Sequence, residues 1–204
     1  MLTRLKTKVQ AAIKAQAQTV NKLGLTPNII SAIGIVLALL SATAYANGRQ
    51  TVTLALAVFL LLLSGYCDIL DGALARLYQK STPFGGFLDS LLDRYADSAV
   101  YVGIILGGLC SAPWGLIALI GSLLVSYSRA RAEAAGIKME TVGLAERAER
   151  IIIIAVASLA EIFFAGVIEV GMIVLAVLTN LTVFQRSLYA YKALKKKGEA
   201  KQES

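Results

Sequence analysis

"CDILDGALARLYQKSTPFGGFLDSLLDRYAD", residues 67–97, holds every aspartate of the chain: Asp68, Asp71, Asp89, Asp93 and Asp97. No acidic residue precedes Asp68. The surrounding sequence is rich in Leu, Ile, Ala and Val, and a carboxylate buried at mid-bilayer costs roughly 2.5–3.5 kcal/mol. Five of them gathered in one stretch therefore point to a function. Asp68 and Asp71 are spaced i, i+3, and Asp89, Asp93 and Asp97 follow at i, i+4, i+8. Each set lies on one face of a helix.

Outward from this stretch the chain reads as membrane protein. Of its 204 residues 57% are hydrophobic and 16% charged. Soluble domains run at roughly 45–50% apolar and about 25% charged, so an ordinary soluble domain is excluded. Several apolar runs approach the roughly 17–25 residues needed to cross a bilayer. The expected class is all-α: a polytopic bundle of six transmembrane helices over 25–190, preceded by an amphipathic interfacial helix over 1–24 and followed by a basic tail over 191–204. The whole is expected to form a single membrane domain, with no cleavable signal peptide ahead of it.

The N-terminal segment carries Arg4, Lys6, Lys8, Lys14 and Lys22 with Leu5, Val9, Ile13 and Val20 at helical spacing. That is the pattern of a helix lying on an anionic membrane face. A solvated basic arm is the plainer alternative. Thr26 as N-cap and Pro27 at the first helical position then start the first span, which ends near Ala46. Further spans are expected from Thr51 through Cys67, from about Gly86 to Cys110, from Trp114 to Tyr127, from Ile151 to Ala165 and from Val167 to Phe184. Nearly all Lys and Arg fall in alternate connections, and the opposite ones hold only Arg49. By the positive-inside rule both termini and the aspartate stretch face the cytoplasm.

Cys67 and Cys110 fit neither a disulfide framework nor a metal-ligand spacing and read as small apolar residues. Histidine is absent, so acid–base chemistry must run on carboxylates, Tyr, Lys or water. If the two aspartate-bearing helices are antiparallel neighbours, their acidic faces meet. Divalent cations relieve the resulting repulsion, and all-oxygen ligation suits Mg²⁺, Mn²⁺ or Ca²⁺ rather than Zn²⁺. Two metals sharing carboxylates serve phosphoryl chemistry. Gly72 and the pair Gly85–Gly86 leave bare backbone where a ligand could approach. Arg76 adds a planar cation suited to a diphosphate.

Together these residues spell D-x₂-D-G-x₂-A-R-x₈-G-x₃-D-x₃-D, from Asp68 to Asp93. The pattern resembles the signature of the CDP-alcohol phosphatidyltransferase family, with every fixed position present. The resemblance implies that Asp68, Asp71, Asp89 and Asp93 hold two Mg²⁺ ions, with Mn²⁺ as a substitute, and that Asp93 also acts as general base. It implies a CDP-lipid donor held by Gly72, Arg76, Thr82 and Gly85, with Asn28, Ile29, Ile30 and Ser31 closing over the nucleotide. Asp97 lies outside the signature and reads as a structural salt bridge to Arg94. A cell-membrane homodimer among membrane lipids, with no nucleic-acid partner, is also implied.

A second basic constellation, "SYSRARAEAAGIKMETVGLAERAER", spans 126–150. Membrane topology alone explains arginines at helix ends. Glu133, Glu146 and Glu149 accompany them, however, and convergent arginines suit an acceptor that already bears a phosphate. The segment resembles the branch of the family that makes phosphatidylinositol phosphate or its archaeal ether-lipid counterpart. That places an inositol phosphate acceptor on Ser126, Arg129, Arg147 and Arg186, where the family more often has Lys in place of Arg129. Glycerol 3-phosphate is the alternative acceptor. An ion transporter is the rival class, but the acids gather at one membrane face and no inverted repeat is evident.

Overall fold

The computed structural model describes residues 13–80, 82–139 and 142–202, and all regular structure in it is helical. A short helix over 13–22 (α1) precedes α2 (Pro27–Ala46), α3 (Thr51–Leu77), α4 (Pro83–Leu106), α5 (Ala112–Ala134), α6 (Arg147–Glu161) and α7 (Val167–Gln202). Two helices start by one device: a threonine N-cap followed by proline. The Oγ1 of Thr26 accepts the Ile29 amide at 3.4 Å, and that of Thr82 accepts the Gly85 amide at 2.9 Å. Each cap satisfies an amide that the first turn leaves without a partner.

α1 packs through Ile13, Ala17 and Val20 onto an apolar cluster of Ile30, Cys67, Leu70, Ala73 and Leu74. Tyr66 donates to Gln16, and Lys80 Nζ to Asn21 Oδ1 at 2.9 Å, so polar contacts fix the helix beside the end of α3. The remaining residues of the expected amphipathic pattern, Arg4, Leu5, Lys6, Lys8 and Val9, lie outside the described residues.

The expectation that α3 and α4 pack as antiparallel neighbours is corrected. Among the described residues the two share no direct helix–helix packing; α2 lies between them and packs on both. Lipid offers no hydrophobic drive for helix association, so close contact depends on small residues. α2 supplies them. A Cβ on Gly34 would lie 3.3 Å from Cys67 Cβ of α3, and one on Gly103 of α4 would lie 2.9 Å from Ala42 Cα. Ser41 donates to the Ala57 carbonyl at 2.7 Å and Ser64 to that of Gly34 at 2.8 Å, pinning the α2–α3 seam. The packing continues from α4 to α5, α5 to α7, α7 to α6 and α6 back to α3.

Among the described residues three helices are long and apolar enough to cross a membrane: Pro27–Ala46, Thr51–Leu77 and Val167–Lys197. The chain is a membrane protein. The remaining helices are less apolar for visible reasons. α4 carries Asp89, Asp93, Arg94 and Asp97 along its first four turns and a little beyond, and α5 carries two arginines in its last turns. α6 has only 15 residues, ending at Glu161 rather than Ala165. There the buried Glu161 carboxylate accepts the amides of Gly166 and Ile168, both at 2.9 Å, and starts α7. α7 then runs without a break into the basic tail. At the same end of the bundle Glu169 accepts the Ser111 hydroxyl at 2.6 Å, and Arg49 reaches the Gly108 carbonyl at 3.1 Å. These bonds close the end opposite the aspartates. Cys67 and Cys110 are both free and buried among apolar neighbours, as expected.

Candidate active site

The intervening α2 holds α3 and α4 apart and leaves a space where their acidic faces look at each other. One carboxylate oxygen each from Asp68, Asp71 and Asp89 falls within 4.8 Å of the others. Asp71 is buried, and Ser31 of α2 donates to its Oδ2 at 2.5 Å. Asp93 borders the same space, a pocket of about 20 Å³ bounded also by Ser31, Asp68, Asp71, Asp89 and Arg147. The donor set is all oxygen and anionic, the pocket is close to ion-sized, and a hard divalent cation fits both.

Next to it lies a cleft of about 130 Å³. Of the predicted donor-binding residues, Asn28, Ser31, Gly72, Thr82 and Gly85 line it. Gly85 is required there by space: a Cβ would sit 2.9 Å from Thr82 Oγ1 and 3.5 Å from Asn28 Oδ1. Three predicted members are elsewhere. Ile30 is buried in the α1–α3 cluster and Ile29 is 42% exposed on the outer surface. Helical spacing explains this, because only residues 28 and 31 of that turn share the inward face. Arg76 does not line the cleft; it lies across Gly72, its Nη1 3.3 Å from where a Cβ on that glycine would be, and borders a groove with Ile13, Lys14, Ile69 and Leu77. Lys80, not singled out in the sequence, is the cation that does line the cleft.

On the other side of the carboxylates is a larger cavity of about 560 Å³. All four predicted acceptor residues line it: Ser126 and Arg129 from α5, Arg147 from α6 and Arg186 from α7. Asp68 and Asp93 line it too, so the cavity and the carboxylate cluster share a wall. Arg147 stands in that wall. Its Nη1 is 2.9 Å from Asp68 and 2.7 Å from Asp93, and its Nε is 3.2 Å from Asp97. Arg186 is almost fully buried and largely satisfied from within, its Nε donating to the Val142 carbonyl at 2.8 Å and its Nη1 to that of Val125 at 2.6 Å. Arg129 is half-exposed and paired with Glu133 at 2.9 Å.

Asp97 does form a structural salt bridge, but not with Arg94. Its partners are Arg147 and Arg150, the latter at 2.8 Å. Arg94 instead donates to the Ser90 carbonyl one turn back in its own helix. Arg150, which the sequence offered only as one of the cytoplasmic cations, is 3% exposed and also donates to the Ala145 carbonyl at 3.1 Å. The "ERAER" run was its signal, since positions 147 and 150 stand one turn apart on a single face.

Residues 24–184 match the family model of the CDP-alcohol phosphatidyltransferases. The chain belongs to that family. It is therefore a transferase, and the stretch from Asp68 to Asp93 lies within the matched residues. Among its relatives, archaetidylinositol phosphate synthase of Pyrococcus horikoshii is 41% identical over 194 residues, covering 95% of this chain and 98% of that one. Phosphatidylinositol phosphate synthase of Mycobacterium tuberculosis is 34% identical over 176 residues, covering 81% and 79%. The crystal structure of that mycobacterial enzyme with CDP-DAG bound superposes with a TM-score of 0.77 at 30% identity, covering 88% of this chain and 93% of that one. Its complex with manganese and citrate gives 0.76, covering 88% of each.

Proposed function

We propose that this transferase moves a phosphatidyl-type group from a CDP-lipid, CDP-diacylglycerol or CDP-archaeol, to inositol phosphate, releasing CMP. One observation carries the reading: the arginine-lined cavity and the carboxylate cluster share Asp68, Asp93 and Arg147, so an acceptor in the cavity would abut a nucleotide diphosphate in the cleft. The relatives' names and the CDP-DAG and manganese complexes of the mycobacterial enzyme agree with it.

Asp68, Asp71, Asp89 and Asp93 would hold two divalent ions, Mg²⁺ with Mn²⁺ as substitute. When bound, such ions neutralise charge developing on the diphosphate. The chain's own residues do the rest. Asn28, Ser31, Thr82 and Lys80 would hold the nucleotide in the cleft, and the bare backbone at Gly72 and Gly85 would let it approach closely. Arg129, Arg147 and Arg186 would hold the acceptor phosphate, charge-assisted bonds that fix the hydroxyl toward the donor. Asp93 would take the hydroxyl proton as the new P–O bond forms and CMP leaves with the electrons of the broken one. Arg76 would stand at the lipid side of the diphosphate. The setting is one membrane domain of the cell membrane, crossing it six times as a homodimer, with both termini and the site on the cytoplasmic face, where the Lys and Arg residues concentrate.

The test is CMP release by purified protein from a CDP-lipid with inositol 1-phosphate. Release should cease in chelator and return with Mg²⁺ or Mn²⁺. Full activity in chelator overturns the assignment of the carboxylates.

A further inference from the structure

Arg147 is asked to serve two sites, and a long flexible side chain does not hold one position unaided. The structure supplies the hold. Beside Arg147, in the same cavity wall, Asp97 accepts its Nε at 3.2 Å through Oδ1 and accepts Arg150 Nη2 at 2.8 Å through Oδ2. Arg150 is itself locked, buried to 3% exposure and bonded to the Ala145 carbonyl just before α6. Asp97 is well shielded, its side chain 13% exposed. The order is therefore Ala145 carbonyl, Arg150, Asp97, Arg147, and finally Asp93 and Asp68. A carboxylate so placed between two guanidiniums can accept from both at once, and doing so fixes the planar fork of each.

We infer that Asp97, anchored by Arg150, is a positioning residue that aims Arg147 at the wall between the acceptor cavity and the carboxylate cluster. Asp97 lines the rear of the acceptor cavity with both carboxylate oxygens taken up by arginines, stands outside the three-carboxylate group, and lies beyond the end of the signature at Asp93. On this inference its effect on the acceptor passes through Arg147. The inference rests on the acceptor reading above, in that Arg147 is taken to meet the acceptor phosphate.

The experiment is a double-mutant cycle of Asp97→Asn with Arg147→Ala, measuring KM for each substrate and kcat in the detergent-solubilised full chain. Asp97→Asn keeps the shape but loses the charge. It should raise the acceptor KM about tenfold, as loss of one charge-assisted contact does, while the CDP-lipid KM stays within about twofold. In the Arg147→Ala background it should add nothing further. Asp97→Glu should recover part of the loss. Arg150→Lys, which keeps the charge and loses the fork, should move the same parameter less. A structural role alone would raise both KM values together, or add fully to Arg147→Ala, and either result overturns the inference. So does an unchanged acceptor KM. If glycerol 3-phosphate proves to be the acceptor, the inositol reading falls, and the same cycle run with that acceptor still decides what Asp97 does.

Discussion

The two halves of the site are built in opposite ways. The carboxylate half is compact in sequence and simple in role: Asp68, Asp71 and Asp89 come from two consecutive helices and point at one small space. The arginine half draws on α5, α6 and α7, and its cations are already engaged with protein groups, Arg186 with two carbonyls and Arg147 with three aspartates. One half leaves most of its charge to be met by a ligand, although Asp68 is already ion-paired with Arg147. The other balances much of its charge internally, so a substitution at its buried member Arg186 removes structure along with binding.

The contrast can be broken first where it predicts the most. Asp89→Ala should lower turnover by about a thousandfold or more, by analogy with removal of groups that stabilise developing charge, and should leave the thermal midpoint nearly unchanged. Mn²⁺ titration followed by paramagnetic resonance checks the accompanying loss of metal affinity. An Asp89→Ala protein that unfolds early but turns over normally would put that residue on the structural side.

Arg186→Ala should show the reverse balance. It strands the carbonyl of Val142, at about 1–3 kcal/mol when left without a donor, whereas that of Val125 keeps the Ser128 hydroxyl at 2.9 Å. A lowered midpoint, read by scanning calorimetry, should therefore accompany the raised acceptor KM. Arg129→Ala, removing a half-exposed arginine whose pair with Glu133 is worth roughly 0.2–1 kcal/mol, should leave the midpoint where it is and raise only the acceptor KM. Equal midpoints for the two variants would mean that Arg186 is not part of the scaffold.

How much of this was legible in the sequence follows the same divide. The acidic cluster was readable because helical spacing alone puts Asp68 with Asp71 and Asp89 with Asp93 on single faces. The helix order was readable from apolar runs and from the Thr–Pro start at 26–27, while the same device at 82–83 starts α4 three residues ahead of the expected Gly86. The packing was not. α2 between α3 and α4 depends on the close approach of Gly34 and Gly103 to neighbouring helices, and a glycine in an apolar run does not say which helix it will meet. Nor was the partner of Asp97 legible. Arg94 is its neighbour by helical spacing, while Arg147 and Arg150 arrive from α6 only when α3 and α6 pack together. Ile29 and Ile30 were included by proximity in sequence, where the helical period admits only Asn28 and Ser31.

Which acceptor fills the cavity is the question on which the account stands, and one measurement reaches it directly. Purified protein would be given a CDP-lipid, Mg²⁺ and, in separate reactions, labelled inositol 1-phosphate, free inositol and glycerol 3-phosphate, and the label in the lipid phase counted. Label should enter the lipid from inositol 1-phosphate and not from free inositol, because losing the phosphate leaves Arg129, Arg147 and Arg186 without the anion they surround, at roughly 1.5–3 kcal/mol per charge-assisted bond. Efficient labelling from free inositol, or preferential labelling from glycerol 3-phosphate, would contradict it.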